Sequence, residues 1–119
     1  MVFGFFKGKK SNDKSPLDFS VIDSNGKAIE LYNKGQLAKL FLMPLEFGGE
    51  DGPRNCLFAP EFAVELKSRV DSMIENLLIE GKQLSYSASP EYKGKSFIPS
   101  KLNITVTGDV QFKETIEIW

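Results

Sequence analysis

Two short stretches of this chain carry most of the side chains that could do chemistry. The first places Glu46, Glu50 and Asp51 just before Arg54, Asn55 and Cys56. Carboxylates in pairs divide acid and base roles, or hold a hard cation through oxygen. The alternating acidic spacing of a calcium-binding loop is missing, so the plain alternative is a solvated turn. Cys56 beside Arg54 suggests a thiolate, but a nucleophilic cysteine also wants a base, and the chain contains no histidine. Cys56 therefore reads as a packing residue.

The second stretch sets Tyr92 and Phe97 among Lys93, Lys95 and Lys101. Aromatic rings between lysines stack on bases or grip an anionic partner. The plain alternative is a lysine-bearing surface loop. Within it, Gly94-Lys95-Ser96 imitates the end of a phosphate-binding loop. Ser89 stands where that motif needs its first glycine, and Phe97-Ile98-Pro99 denies the helix that must follow. The motif fails on both counts.

Composition narrows the rest. Zero histidines and one cysteine exclude a histidine triad, a zinc site of the usual ligands and an internal disulfide. No cofactor or metal is expected. Fifteen basic against sixteen acidic residues argue against a surface built to grip nucleic acid. No apolar run approaches the roughly 18–20 residues of a membrane span. Residues 1–16 are distinct. Phe3, Phe5 and Phe6 precede Lys7, Lys9, Lys10 and Lys14, giving a net +3 against −4 for the remaining 103 residues. That order does not match a secretory signal. It reads as an aromatic segment and linker, with weak membrane-surface contact through residues 1–14 as the alternative.

The candidate residues must be held by 17–119, which the sequence presents as one α+β domain. Leu17, Phe19 and Val21 alternate with polar residues, then Asp23-Ser-Asn-Gly-Lys27 leads into Ala28-Ile-Glu-Leu-Tyr32. This pattern predicts a β-hairpin with a three-residue loop, Ser24 to Gly26. Residues 37–47 are apolar on both faces, predicting a covered strand that weakens at Pro44. A glycine-rich loop fills 48–55, and 56–58 forms a short strand. From Pro60 to Glu80, Ala63, Leu66, Val70, Met73, Ile74 and Leu77 recur at helical spacing, with Gly81 as the stop. The charged residues of that helix, including Lys67 and Asp71, are assigned to a solvated face of net −3.

A strand at 83–89 is followed by a polar loop at 90–101. A final hairpin runs from 102 to 118, with Val106 opposite Val110 and Ile104 opposite Phe112 across Thr107–Asp109. Glu114 is its misfit, an acid on the apolar face, expected at an edge or a bulge. The expected architecture is a mainly antiparallel sheet of five to six strands, in the order β-β-β-α-β-β-β, packed on one long amphipathic helix. The expected role is a small intracellular, cytoplasmic, non-catalytic binding domain, its partner a protein or a second copy of itself. The alternatives are an apolar-ligand binder, or a carboxylate- or lysine-based enzyme at the 46–56 loop.

Overall fold

The computed structural model describes residues 17–119; the aromatic and basic segment 1–16 lies outside the described residues. The described residues are α+β, with two antiparallel sheets and two α-helices among them. A 3-10 turn at Phe19–Val21 precedes helix α1, Asn25–Asn33. Strands β1 (Ala38–Phe41) and β2 (Cys56–Ala59) form the smaller sheet, separated by a loop that holds a second 3-10 turn, Leu45–Phe47. Helix α2 spans Glu61–Ile79, and β3 (Leu84–Tyr92), β4 (Pro99–Gly108) and β5 (Phe112–Glu117) complete a second sheet in the order β3-β4-β5.

Helix α2 forms where the periodicity places it. Ala63, Leu66, Val70 and Ile74 are buried along one stripe and pack against β1, β4 and β5. Each fully buried aliphatic side chain contributes about 1.5–3 kcal/mol. Gly81 ends the helix at φ +92°, a conformation a side chain resists, and Lys82 N–H donates back to the Leu77 carbonyl at 3.1 Å. On the three-stranded sheet, Leu102, Ile104, Val106 and Ile116 face this helix. The opposite face carries Ser85, Ser87, Ser89, Thr105, Thr107 and Thr115, so the alternation separates a dry side from a wet one.

Five expectations need correction. The single sheet of five to six strands is in fact two sheets, of two and three strands. The hairpin at 17–33 is a 3-10 turn and α1. Asp18 caps the turn by accepting from Ser20 N–H at 3.0 Å, and Ser24 Oγ caps α1 by accepting from Lys27 N–H at 3.2 Å. Serine three residues before that amide is a helix start, and it overrides the turn signal of Asn25-Gly26. Ala28 then turns inward, 1% exposed, beside Ile22, Leu37 and Ile98 in a second cluster.

The strand at 37–47 stops at Phe41, three residues before Pro44. The polar loop 90–101 is half strand: β3 continues to Tyr92 and β4 begins at Pro99, leaving only 93–98 as loop, with a register irregularity between Glu91 and Tyr92. In the last hairpin Val106 pairs with Phe112, Ile104 with Glu114 and Leu102 with Ile116. Gly108 is already paired with Leu84 of β3, and Asp109 N–H donates to the Gln83 carbonyl at 3.0 Å, which lengthens the turn. A shift of two keeps every side chain on its expected face. Glu114 stays half-buried on edge strand β5, where burial pushes its carboxyl pKa up.

Candidate functional site

The acidic loop does not assemble a catalytic pair. Asp51 Oδ1 lies 3.4 Å from Lys39 Nζ on neighbouring β1, both side chains being substantially exposed. That carboxylate is the main reason the Lys39 ammonium pKa is raised. Glu50 contributes its main-chain carbonyl, and Arg54 is exposed. Asn55 has a structural task. Its Oδ1 accepts from Met43 N–H at 2.7 Å, while Nδ2 donates to the carbonyls of Met43 and Glu50, both at 2.9 Å. The side chain thus continues the β1–β2 ladder after the backbone leaves it, Leu42 N–H to Asn55 O at 2.9 Å being the last regular rung. Gly49 is required here, since an added Cβ would stand 2.1 Å from the Met43 carbonyl oxygen.

The second candidate group divides. Lys93 donates to the Trp119 main-chain oxygen at 2.8 Å and stands 5.3 Å from the centre of its indole. Lys101 and Lys95 are exposed. Tyr92 and Phe97 instead line a cleft of about 400 Å³ with Asn25, Pro53, Cys56, Leu57, Phe58 and Ser96. The two stretches singled out in the sequence therefore meet, but through Pro53, Tyr92 and Phe97 and not through their charges.

This cleft is held by rigid parts. Phe97 N–H donates to the Ile22 carbonyl at 2.7 Å, and buried Ser96 donates to the Phe19 carbonyl, also at 2.7 Å. Tyr32 of α1 packs on Phe58 of β2 with ring centres 5.4 Å apart, fixing the opposite wall. Tyr92 and Phe97 nevertheless leave 45% and 48% of their surface to solvent. Cys56 and Tyr92 are the titratable groups among its described lining residues. Burial pushes both pKa values up, keeping thiol and phenol protonated at neutral pH.

A second cavity, about 270 Å³, opens between α2, β1 and the 45–47 turn. Glu46 lines it, alone among the candidate residues named from the sequence. Its chemistry comes from groups the sequence reading left on a solvated face. Lys67 is 3% exposed, with Nζ 2.7 Å from Asp71 Oδ2. Asp71 Oδ1 is 3.1 Å from the hydroxyl of Tyr86 on β3, which also lies 3.0 Å from the Leu42 carbonyl oxygen. Burial pushes Lys67 down and Asp71 up, the ion pair opposing both shifts. Tyr86 is pushed far up, first by burial and then by Asp71. The signal for Lys67 was present in the sequence: it occupies the stripe Ala63, Lys67, Val70, Ile74, where helical spacing reserves an inward position.

No protein-family model, no curated protein sequence and no solved structure matches this chain. Among the described residues no cluster of three or more metal-ligating side chains occurs, and no helix is long and apolar enough to cross a membrane.

Proposed function

We propose that this chain is a non-catalytic binding domain whose aromatic cleft receives an apolar side chain from a protein partner. One observation carries the reading: Tyr92 and Phe97 stay half-exposed around a 400 Å³ cleft whose walls are pinned by main-chain hydrogen bonds. A cleft of that volume falls within the range of about 300–1,000 Å³ in which proteins take ligand groups. Aromatic anchors in a preformed pocket are where binding energy concentrates, because little ordering remains to be done on association. Lys93, Lys95 and Lys101 on the neighbouring strands and loop favour a partner with acidic residues beside its anchor. Protonated Cys56 and Tyr92 supply neither nucleophile nor base, which favours binding over catalysis here.

The test is affinity capture with the full chain from the source cell, with co-purifying material quantified by mass spectrometry. A single stoichiometric protein should be recovered with the wild type. Recovery should drop about tenfold or more for Phe97→Asp, as expected for a central anchor, and persist for Ser87→Asp on the polar sheet face. Circular dichroism checks that each variant is folded. Recovery of no stoichiometric protein, or of one indifferent to Phe97→Asp, overturns the reading. A tightly held small molecule in place of a protein would overturn it in favour of a ligand carrier.

A further inference from the structure

Strand β3 forms one edge of the three-stranded sheet, and the ladder shows which of its main-chain groups are spent. Asp109 N–H donates to the Gln83 carbonyl at 3.0 Å, and Ile118 N–H donates to the Ser100 carbonyl at 2.7 Å. Bonding direction alternates residue by residue in an antiparallel ladder, and both bonds give the same parity. Ser85, Ser87 and Ser89 bond to Thr107, Thr105 and Asn103 of β4. Leu84, Tyr86 and Ala88 therefore turn their N–H and carbonyl groups away from the sheet. Among the described residues no other main-chain group bonds to them there.

An open edge invites another strand, so proteins guard edges with charged side chains, short length or bulges. The other edges of this fold are guarded. Strand β5 carries Lys113 and Glu117, and places Glu114 on the dry face opposite Ile104. Strands β1 and β2 are only four residues long. Strand β3 has no such guard: Leu84-Ser-Tyr-Ser-Ala-Ser-Pro90 is uncharged, and its pairing is regular as far as Glu91. Its dry side is also incompletely covered. Tyr86 and Ala88 are half-buried, whereas Val106 and Ile104, opposite them on β4, are fully buried.

We propose that this edge pairs antiparallel with the same edge of a second copy, joining the two three-stranded sheets into one. The strand is self-complementary in a single register. A two-fold axis at Tyr86 sets Leu84 opposite the partner's Ala88, and Tyr86 opposite the partner's Tyr86. Every outward N–H of both strands then meets an outward carbonyl. An axis at Ala88 would instead set Tyr86 against the partner's Pro90, which has no N–H to give. An axis at Leu84 would run the pairing into the turn at Gly81. On the wet face the Tyr86 register brings Ser85 beside the partner's Ser87, both small and uncharged, where opposed side chains stand closest. The charges flanking the paired stretch are Lys82 and Glu91, and this register sets each near its opposite on the other copy. Tyr92 stands beyond the paired stretch, so the pairing neither uses the aromatic cleft nor rests on the reading given to it.

The experiment follows the full chain by sedimentation equilibrium up to about 1 mM, the weak end of specific association. The mass should rise with concentration to twice that of one chain. Over the same series, amide hydrogen exchange read by nuclear magnetic resonance should slow at Leu84, Tyr86 and Ala88. The amides of Ser85, Ser87 and Ser89 should be protected throughout. Ser85→Lys combined with Ser87→Lys sets like charges directly opposite across the two-fold axis and should weaken the dimer about tenfold. Ser85→Glu combined with Ser87→Glu should do the same, and mixing the two variants should restore pairing as a mixed dimer. Circular dichroism checks that both are folded; should either fail, amide exchange in the native chain decides. A mass that stays that of one chain, or edge amides already protected in the monomer, overturns the proposal. So does a dimer that neither pair of substitutions weakens.

Discussion

The side chain of Asn55 satisfies three main-chain groups of the loop that carries the acidic candidates: Met43 N–H, the Met43 carbonyl and the Glu50 carbonyl. Removing a partner from a part-buried backbone group costs about 1–3 kcal/mol, more than the net gain of an average hydrogen bond. Asn55→Ala should therefore lower stability by about 2–4 kcal/mol in denaturant titration. A loss below about 0.5 kcal/mol, ordinary for a surface substitution, would show that the loop is held by something else. At this scale the sequence was half legible. Asn55 was recognisable as special because a polar residue stood at the exit of a glycine-rich loop, but Met43, which takes two of its three hydrogen bonds, lies 12 positions away, and nothing local names it. Lys67 was misread because charged residues are almost never fully buried unless paired; its partner Asp71 stands four residues on in the same helix, but Tyr86, which reaches Asp71 and closes the cluster, belongs to a later strand. Tyr92 and Phe97 were found, yet their companions Pro53 and Phe58 became neighbours only through tertiary folding.

Among the elements, α2 and the alternating faces of β4 and β5 were legible because their own side chains supply the pattern. A stripe at three- and four-residue steps needs no knowledge of its partner. The first element was not legible, since Leu17-Asp-Phe-Ser-Val21 alternates like a strand while Asp18 and Ser24 offer their oxygens to the backbone two and three residues on. Local side-chain capping decided that competition, helped by burial of Ala28 and by Lys27, whose Nζ lies 2.7 Å from Asp23 Oδ1. The two readings make opposite forecasts for one substitution. Ser24→Ala removes a helix N-cap and should cost about 1 kcal/mol. In a hairpin turn the same change would be close to neutral. Chemical denaturation of the two chains distinguishes them, and a null result would return the segment to the strand reading. The single-sheet expectation failed on a different account. Nothing in β1 or β2 announces which sheet they join, and the pairing partners of a short apolar run are settled by packing against α2.

For the molecule as a whole, Trp119 is the joint between two hydrophobic clusters. It packs against the cluster built on α2 and the larger sheet, and also against the one built from Ile22, Ala28, Leu37 and Ile98. Its indole N–H donates to the Ile98 carbonyl at 3.0 Å, its ring meets Phe19 at 5.8 Å between centres, and Lys93 covers it from the outside. Loss of a tryptophan from a packed site costs about 3–5 kcal/mol, and because Trp119 is only partly buried the lower end applies. Trp119→Ala should thus remove about 3 kcal/mol, whereas Trp119→Phe should restore part of it and leave the Ile98 carbonyl short of its donor. A shared joint also predicts that neither cluster survives alone. In the wild type, the fluorescence of this single tryptophan and the far-ultraviolet dichroism of the helices should follow one transition in denaturant, as small cooperative proteins do. A fluorescence change preceding the loss of helix would mean that the Trp119 contacts open separately. The aromatic cleft, whose Phe58 wall belongs to the second cluster, would then lack the rigidity that favours it as a binding site.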